Sequence, residues 1–480
     1  MVDFDVLTTV KLRTAQERCE ALLQTLRSYE ARVLPSPATR SVVAAINVAV
    51  ESLRAKLLGF SSNPDLPFLT ASEIEAKIHK QSQFLPYFHY FLGLIEPSDV
   101  DVVRAELAAP LRRITKDLFG GTADLIVVSS FALNYSITEI SGDLRKILES
   151  LDCHALQELP DKVFLASIPC VEYDQALLHC ILAHELGHPV YQNSDIETGI
   201  LAFITIDKAF LRSLFSSRAR STPKHEKQQT EFPYEQILYE SKIADEVSKA
   251  IPSWIQELCA DLFGLLIFGP AYLLSLIHFS SSFLLLESAS ASHPPSRLRL
   301  KLLFKLLRRR FTEQGFSPST REFLAEWEQI ASIPINVEND VARIAFHSIQ
   351  DETVLNRLLD VVEQVNLATG KYDQIKYDND VKALGPMINA LIPPVEVLAD
   401  DGTGLELSST VGLMNAGWEV YLSGLTEFKK NLPEREALSE FKVALRYNKF
   451  LLKSLELIEV RRSWEEANDL IDRENPSVGI

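Results

Sequence analysis

Apolar residues recur at helical spacing along most of this chain. Residues 6 to about 116 carry amphipathic runs, 15–33 and 41–58 among them, separated by the breakers PSP and SSNPDLP. The texture changes after Gly120–Gly121, where ADLIVVSSFALNYSITEI and KVFLASIPCVEY are rich in β-branched and aromatic residues and predict the strands of a small sheet. Helical spacing returns at Leu177, Leu178, Ile181, Leu182 and Leu186, behind an N-cap candidate at Asp174, and again over 199–215. A polar stretch follows, SSRARSTPKHEKQQTEFP, that suits a surface loop or a flap. Beyond it the pattern predicts helices at 234–250 and 254–268, with Pro252 in the first turn of the second. From about Phe311 to the end helices alternate with loops such as LADDGTG, and no repeat of fixed period is present.

The pattern predicts an α+β chain that is predominantly α-helical. Its 480 residues exceed what one core usually serves, and the changes of texture divide it into a helical region 1–118, a central domain 119–312 and a C-terminal helical domain 313–480. Composition is that of a globular protein, 46% hydrophobic and 24% charged. A net charge of −17 repels phosphate backbones, so nucleic acid is not expected as a partner. Cys19, Cys153, Cys170, Cys180 and Cys259 form no CxxC pair, which suits a reducing compartment. With no basic stretch leading into an apolar one at the N-terminus, the expectation is a cytoplasmic protein. Residues 262–286 lack Asp, Glu, Lys and Arg, yet Gly264, Gly269, Pro270, His278 and serines 280–282 interrupt them. They predict a buried helix and turn rather than membrane insertion.

The candidate chemistry lies in ILAHELGHPVY at 181–191. On a helix His184 and His188 lie one turn apart on one face and can aim both imidazoles at one ion, while Glu185 can take a proton from a metal-bound water. Two neutral imidazoles and one carboxylate suit Zn2+ with a fourth position open. Pro189 is expected to end or kink the helix at His188, so a third ligand must come from elsewhere. The metzincin pattern fails, because its Gly and His positions hold Tyr191 and Ser194. WIQELCADLFGLL at 254–266 offers Glu257, with Asp261 four residues on and on the same face. Glu257 can bind metal while Asp261 accepts the outer N–H of a ligand histidine.

At this point the chain resembles the gluzincin zinc metallopeptidases that include the CAAX prenyl proteases and HtpX-type endopeptidases. These share HExxH, then ExxAD, then a segment like HPPxxxRI. HELGH at 184–188, ELCAD at 257–261 and HPPSRLRL from His293, with Arg299 six residues on, occur here in the same order, over about 120 of the residues. The resemblance implies a zincin-like catalytic core, zinc on His184, His188 and Glu257, and Glu185 as general base. Relatives are commonly membrane-attached, and their membrane substrates are not carried over. His293 or Arg299 could stabilise an oxyanion. Alternatively, HPP is an ordinary turn into a helix and Arg299 a surface charge or structural ion pair.

His179 and Cys180 lie on the motif's own segment, and Cys180, one turn before His184, suits a small buried core position better than a soft extra ligand. In RLRLKLLFKLLRRR, Arg297, Lys301, Lys305 and Arg309 recur every four residues, which fits either an anionic partner or the protein's own acids. The expectation is a soluble zinc endopeptidase acting on a protein or peptide substrate, flanked by helical domains. Two alternatives stand beside it: a scaffold or binding protein with a structural zinc, and a latent protease opened by a regulatory protein partner, with deletion of residues 216–231 relieving its inactivity in isolation.

Overall fold

Among the described residues strands form where β-branched residues crowd together, and helices make up most of the rest. The computed structural model describes residues 6–32, 34, 36–60, 70–98, 103, 105–132, 134–153, 159–204, 210, 233–282, 289–398 and 404–474. They fall into two compact units, Met1–Asp174 and Gln175–Ile480.

The first unit contains α1 (Val6–Glu30), α2 (Pro37–Phe60), α3 (Ala71–Ser82), α4 (Leu85–Ile95), α5 (Ala105–Leu118) and α6 (Ser141–Ser150), with β1 (Ala123–Ser130), β2 (Ser136–Glu139) and β3 (Lys162–Pro169). The sheet runs in the order β1-β3-β2. β1 is parallel to β3 from Ala123 opposite Lys162 to Ser130 opposite Pro169, and β2 is antiparallel to it. A parallel pair needs a crossover, which α6 supplies before β3. Six consecutive residues of β1 are buried, the mark of a strand covered on both faces, and Ile126, Val163 and Leu165 share one core with Leu22, Leu26, Ile46 and Phe88 of the helices. That shared core is why the sheet belongs with the N-terminal helices and not in a unit with the HELGH segment. Buried Asp124 is held by a two-point ion pair from Arg112, at 2.7 and 3.1 Å.

The second unit opens on a 3-10 turn, Ala176–Ile181, leading into α7 (Leu182–Gln192) and α8 (Ile196–Leu201). Asp174 therefore caps no long helix, and Gln175 at the entry makes no side-chain cap bond. Then come α9 (Pro233–Phe268), α10 (Pro270–Ser282), α11 (Ser296–Arg310), α12 (Pro318–Ser332), α13 (Asp340–Ile349), α14 (Glu352–Gln364), α15 (Gln374–Asn389), the hairpin β4 (Glu396–Leu398) and β5 (Leu405–Leu407), α16 (Thr410–Leu422), α17 (Thr426–Lys430) and α18 (Glu440–Glu474). The stretch 211–232, which holds the candidate flap, lies outside the described residues.

Two prolines behave differently from expectation. Pro252 sits inside α9, which runs unbroken where two helices were expected, and Pro189 sits inside α7. Each removes one backbone bond, to the carbonyls of Ser248 and Glu185, and burial on both sides outweighs that loss: Ala250, Ile251, Trp254, Ile255 and Leu258 are buried along α9, and Leu182, Leu186, Val190 and Tyr191 along α7.

Caps fix where the later helices start. Ser317, Asn339, Asp351, Asp373 and Ser409 each accept a backbone N–H from the first turn of α12 to α16 in order. Most of α16 is buried, and its Asn415 clamps the turn between α9 and α10. Asn415 Oδ1 accepts from the Ala271 N–H at 2.9 Å, and its Nδ2 donates to the Phe268 carbonyl at 2.8 Å. Gly269 makes that turn with φ of +63°, a conformation side chains resist.

Among the described residues one helix, Ser241–Phe268, is long and apolar enough to cross a membrane, and 78% of its most apolar window is buried within the protein. Residues 270–282 continue this core as α10. The basic stripe of α11 faces acids of its own unit. Lys301 and Lys305 meet Glu352, and Arg309 meets Asp360 and Glu363.

Candidate metal centre

The two helices that carry HELGH and ELCAD, α7 and α9, pack against each other at their closest where a glycine permits it. A Cβ on Gly187 would stand 2.8 Å from both Cα and the carbonyl oxygen of Ala260. These are backbone atoms of the residue before Asp261, and they have nowhere to move. Gly187→Ala therefore forces the helices apart. The substitution gains about 1 kcal/mol of helix propensity, but overpacking of this kind costs about 1–3 kcal/mol. It also carries the histidines away from Glu257. The expected result is a lower urea midpoint and metal affinity down about tenfold, read by competition with a chelator. Unchanged affinity would show that the contact does not set the ligand spacing.

The contact brings three donors together. Nε2 of His184 lies 3.4 Å from Glu257 Oε2, and Nε2 of His188 lies 3.6 Å from Glu257 Oε1. Ligands at ordinary zinc distances in a tetrahedron stand about 3.4 Å apart. All three donor atoms fall within 4.8 Å of one another, with His184 buried and the other two half-buried, and the group could hold a metal ion. The imidazoles meet edge to face, with centroids 4.8 Å apart.

Behind His184 stands a charged, fully buried carboxylate. Asp261 Oδ1 lies 2.8 Å from His184 Nδ1, and the same carboxylate receives Arg299 through Nε at 2.6 Å and Nη2 at 2.7 Å, and the Tyr272 hydroxyl at 2.5 Å. Tyr272 reaches it from α10 because the Gly269 turn folds that helix back and its ring lies flat over Gly264. With Nδ1 engaged by Asp261, His184 keeps Nε2 for an ion.

Electrostatics follow from burial and these partners. Burial works to lower the His184 pKa, but Asp261 and then Glu257 overcome it and push it up to about 10. Burial, helped by the charge on His184, pushes His188 down to about 4. Glu257 is held at about 2 against its own burial, chiefly by His184, and Asp261 lies well below the carboxylate range through Arg299 and His184.

The other sequence candidates take distinct places. Glu185 is half-buried on α7. Arg299 lies on the Nδ1 side of His184, away from Nε2, with its guanidinium committed to Asp261. His293 brings Nε2 to 3.8 Å from Glu257 Oε1, on the ligand side, with its side chain 59% exposed. His179 and Cys180 are buried, and burial pushes the Cys180 thiol up to about 12, so it is not a ready ligand. Tyr272 was not legible as part of this site. Gly269–Pro270 signals a turn, but the angle of return depends on Asn415, 144 residues from Ala271. No family model, curated protein or solved structure matches the chain.

Proposed function

We propose that the protein is a zinc-dependent peptidase of gluzincin type. The observation that carries the reading is the convergence of two imidazole Nε2 atoms and one carboxylate at near-tetrahedral spacing, one of the imidazoles backed by a buried Asp. Two nitrogens and one oxygen are the donor set of hydrolytic zinc sites, which keep a fourth position open, and HELGH supplies a carboxylate beside the first ligand.

A zinc ion held by His184, His188 and Glu257 would supply Lewis acidity to a scissile carbonyl and to a water beside it. Glu185 takes the proton of the attacking water and passes it to the leaving amine. Asp261 fixes the ring of His184 and is itself fixed by Arg299 and Tyr272. Exposed on the ligand side, His293 stabilises the oxyanion of the tetrahedral adduct, a role the paired Arg299 is not placed to take.

The purified protein is expected to carry about one zinc ion per chain and to cleave unfolded protein or peptide substrates. Chelation should abolish cleavage and lower the melting temperature of the second unit, since a ligand at about a thousand times its Kd stabilises by about 4 kcal/mol. Returning zinc should restore both. A protein that binds no metal under replete conditions overturns the proposal. One that binds zinc tightly and cleaves nothing points instead to a structural ion.

A further inference from the structure

His293 sits in a short loop whose hydrogen bonds favour one position for its proton. The loop is pinned to α9 just ahead of Glu257: Trp254 Nε1 donates to the Ser290 carbonyl at 3.0 Å, and the Ser253 hydroxyl donates to the Ser292 carbonyl at 2.9 Å. The Ser290 N–H closes the loop on the His293 carbonyl at 3.0 Å. Trp254 is fully buried and lies three residues before Glu257, on the same face of the helix. The position of His293 is thus keyed to the helix that carries the carboxylate ligand.

Inside the loop the donors and acceptors can be assigned. Ser290 Oγ accepts two backbone N–H groups, from Ser292 at 3.2 Å and His293 at 2.9 Å, and so has both lone pairs in use. Its own hydrogen has one acceptor in reach among the described residues, Ser292 Oγ at 3.1 Å. Ser292 Oγ, accepting there, turns its hydrogen to His293 Nδ1 at 2.8 Å. A neutral imidazole that accepts at Nδ1 carries its hydrogen on Nε2. The Glu257 carboxylate 3.8 Å from Nε2 favours the same arrangement, since the reverse would face a lone pair toward an anion. It would also aim two hydrogens at Ser292 Oγ and leave the Ser292 hydrogen unused.

On the peptidase reading, we propose that Ser290 and Ser292 form a hydroxyl relay that holds His293 as its Nε2–H tautomer, so that His293 donates a hydrogen bond beside the metal cluster instead of joining it as a ligand. A ligand needs the Nε2 lone pair; an oxyanion needs the Nε2 hydrogen. The two serines are positioning residues, and their sequence signal is only the run SASASHPP.

The tautomer can be read without turnover, from 15N spectra of histidine-labelled full-length protein, with His293 assigned by the signals lost in His293→Gln. The wild type is expected to show a protonated Nε2 and a bare Nδ1. In Ser292→Ala the tautomers should mix and kcat should fall about tenfold, while KM and zinc affinity stay within about twofold. Ser292→Thr, which keeps the hydroxyl, should restore both the spectrum and kcat. A wild-type Nδ1–H, or a Ser292→Ala protein unchanged in spectrum and kcat, overturns the relay, and so does a tenfold loss of zinc affinity in that variant. If the wild type shows the Nε2–H signal and cleaves no substrate, the peptidase reading fails and the tautomer assignment stands.

Discussion

Replacing Glu185 with glutamine is expected to lower kcat by about a thousandfold while leaving zinc content and folding unchanged. General-base catalysis contributes about 10²–10⁴. Glutamine matches glutamate in size and hydrogen-bonding reach but cannot take a proton from water. The ligand set needs neither, since His184, His188 and Glu257 supply it. Half-buried on α7, Glu185 tolerates an isosteric change within about 0.5 kcal/mol. The variant therefore separates chemistry from architecture: zinc per chain and the urea midpoint are read beside kcat on one substrate. Activity within tenfold of wild type would remove Glu185 from the mechanism, and loss of zinc would mean that it supports the site structurally.

Much of the ligand geometry was legible because it rests on helical periodicity. A spacing of four puts His184 above His188 and Glu257 above Asp261, whatever surrounds them. Pairing one couple with the other is long-range, and the signal for it, Gly187 between the two histidines, is a single residue whose meaning appears only once Ala260 lies against it. Continuity of helices was misread at Pro252 and Pro189 for a related reason. Local rules charge proline with a lost backbone bond, while burial along the rest of α7 and α9 is tertiary and outweighs it. Strands were readable from their β-branched runs, but their unit was not, because the residues that complete the core around Ile126 and Val163 lie up to 151 positions away, Leu12 to Val163, in α1 and α2.

The basic stripe of α11 shows a different limit. Its spacing of four is plain in the sequence, whereas its partners, Glu352, Asp360 and Glu363, all lie on α14 and are matched to it only by packing. Exposed pairs of this kind contribute little each. The pair buried behind His184 is of another order.

Arg299→Ala is expected to destabilise the second unit by about 3–5 kcal/mol, because it leaves the Asp261 carboxylate charged, buried and short of its two-point partner. Without Arg299 the Asp261 carboxylate is no longer fixed, the ring of His184 loses its set orientation with it, and zinc affinity should fall about 10–100-fold. Pairing the change with Asp261→Asn removes the stranded charge. The double variant should recover at least about 1 kcal/mol of the loss, a coupling outside the error of additivity for independent sites. It should not regain full zinc affinity, since an amide supports the His184 imidazole less strongly than a carboxylate. Tryptophan fluorescence during urea unfolding reports this unit alone, as all four tryptophans, 254, 327, 418 and 464, lie beyond residue 174. Simple additivity of the two substitutions would show that Arg299 stabilises through its contacts along α11 and not through Asp261, and the carboxylate would then owe its charge to His184 and the metal.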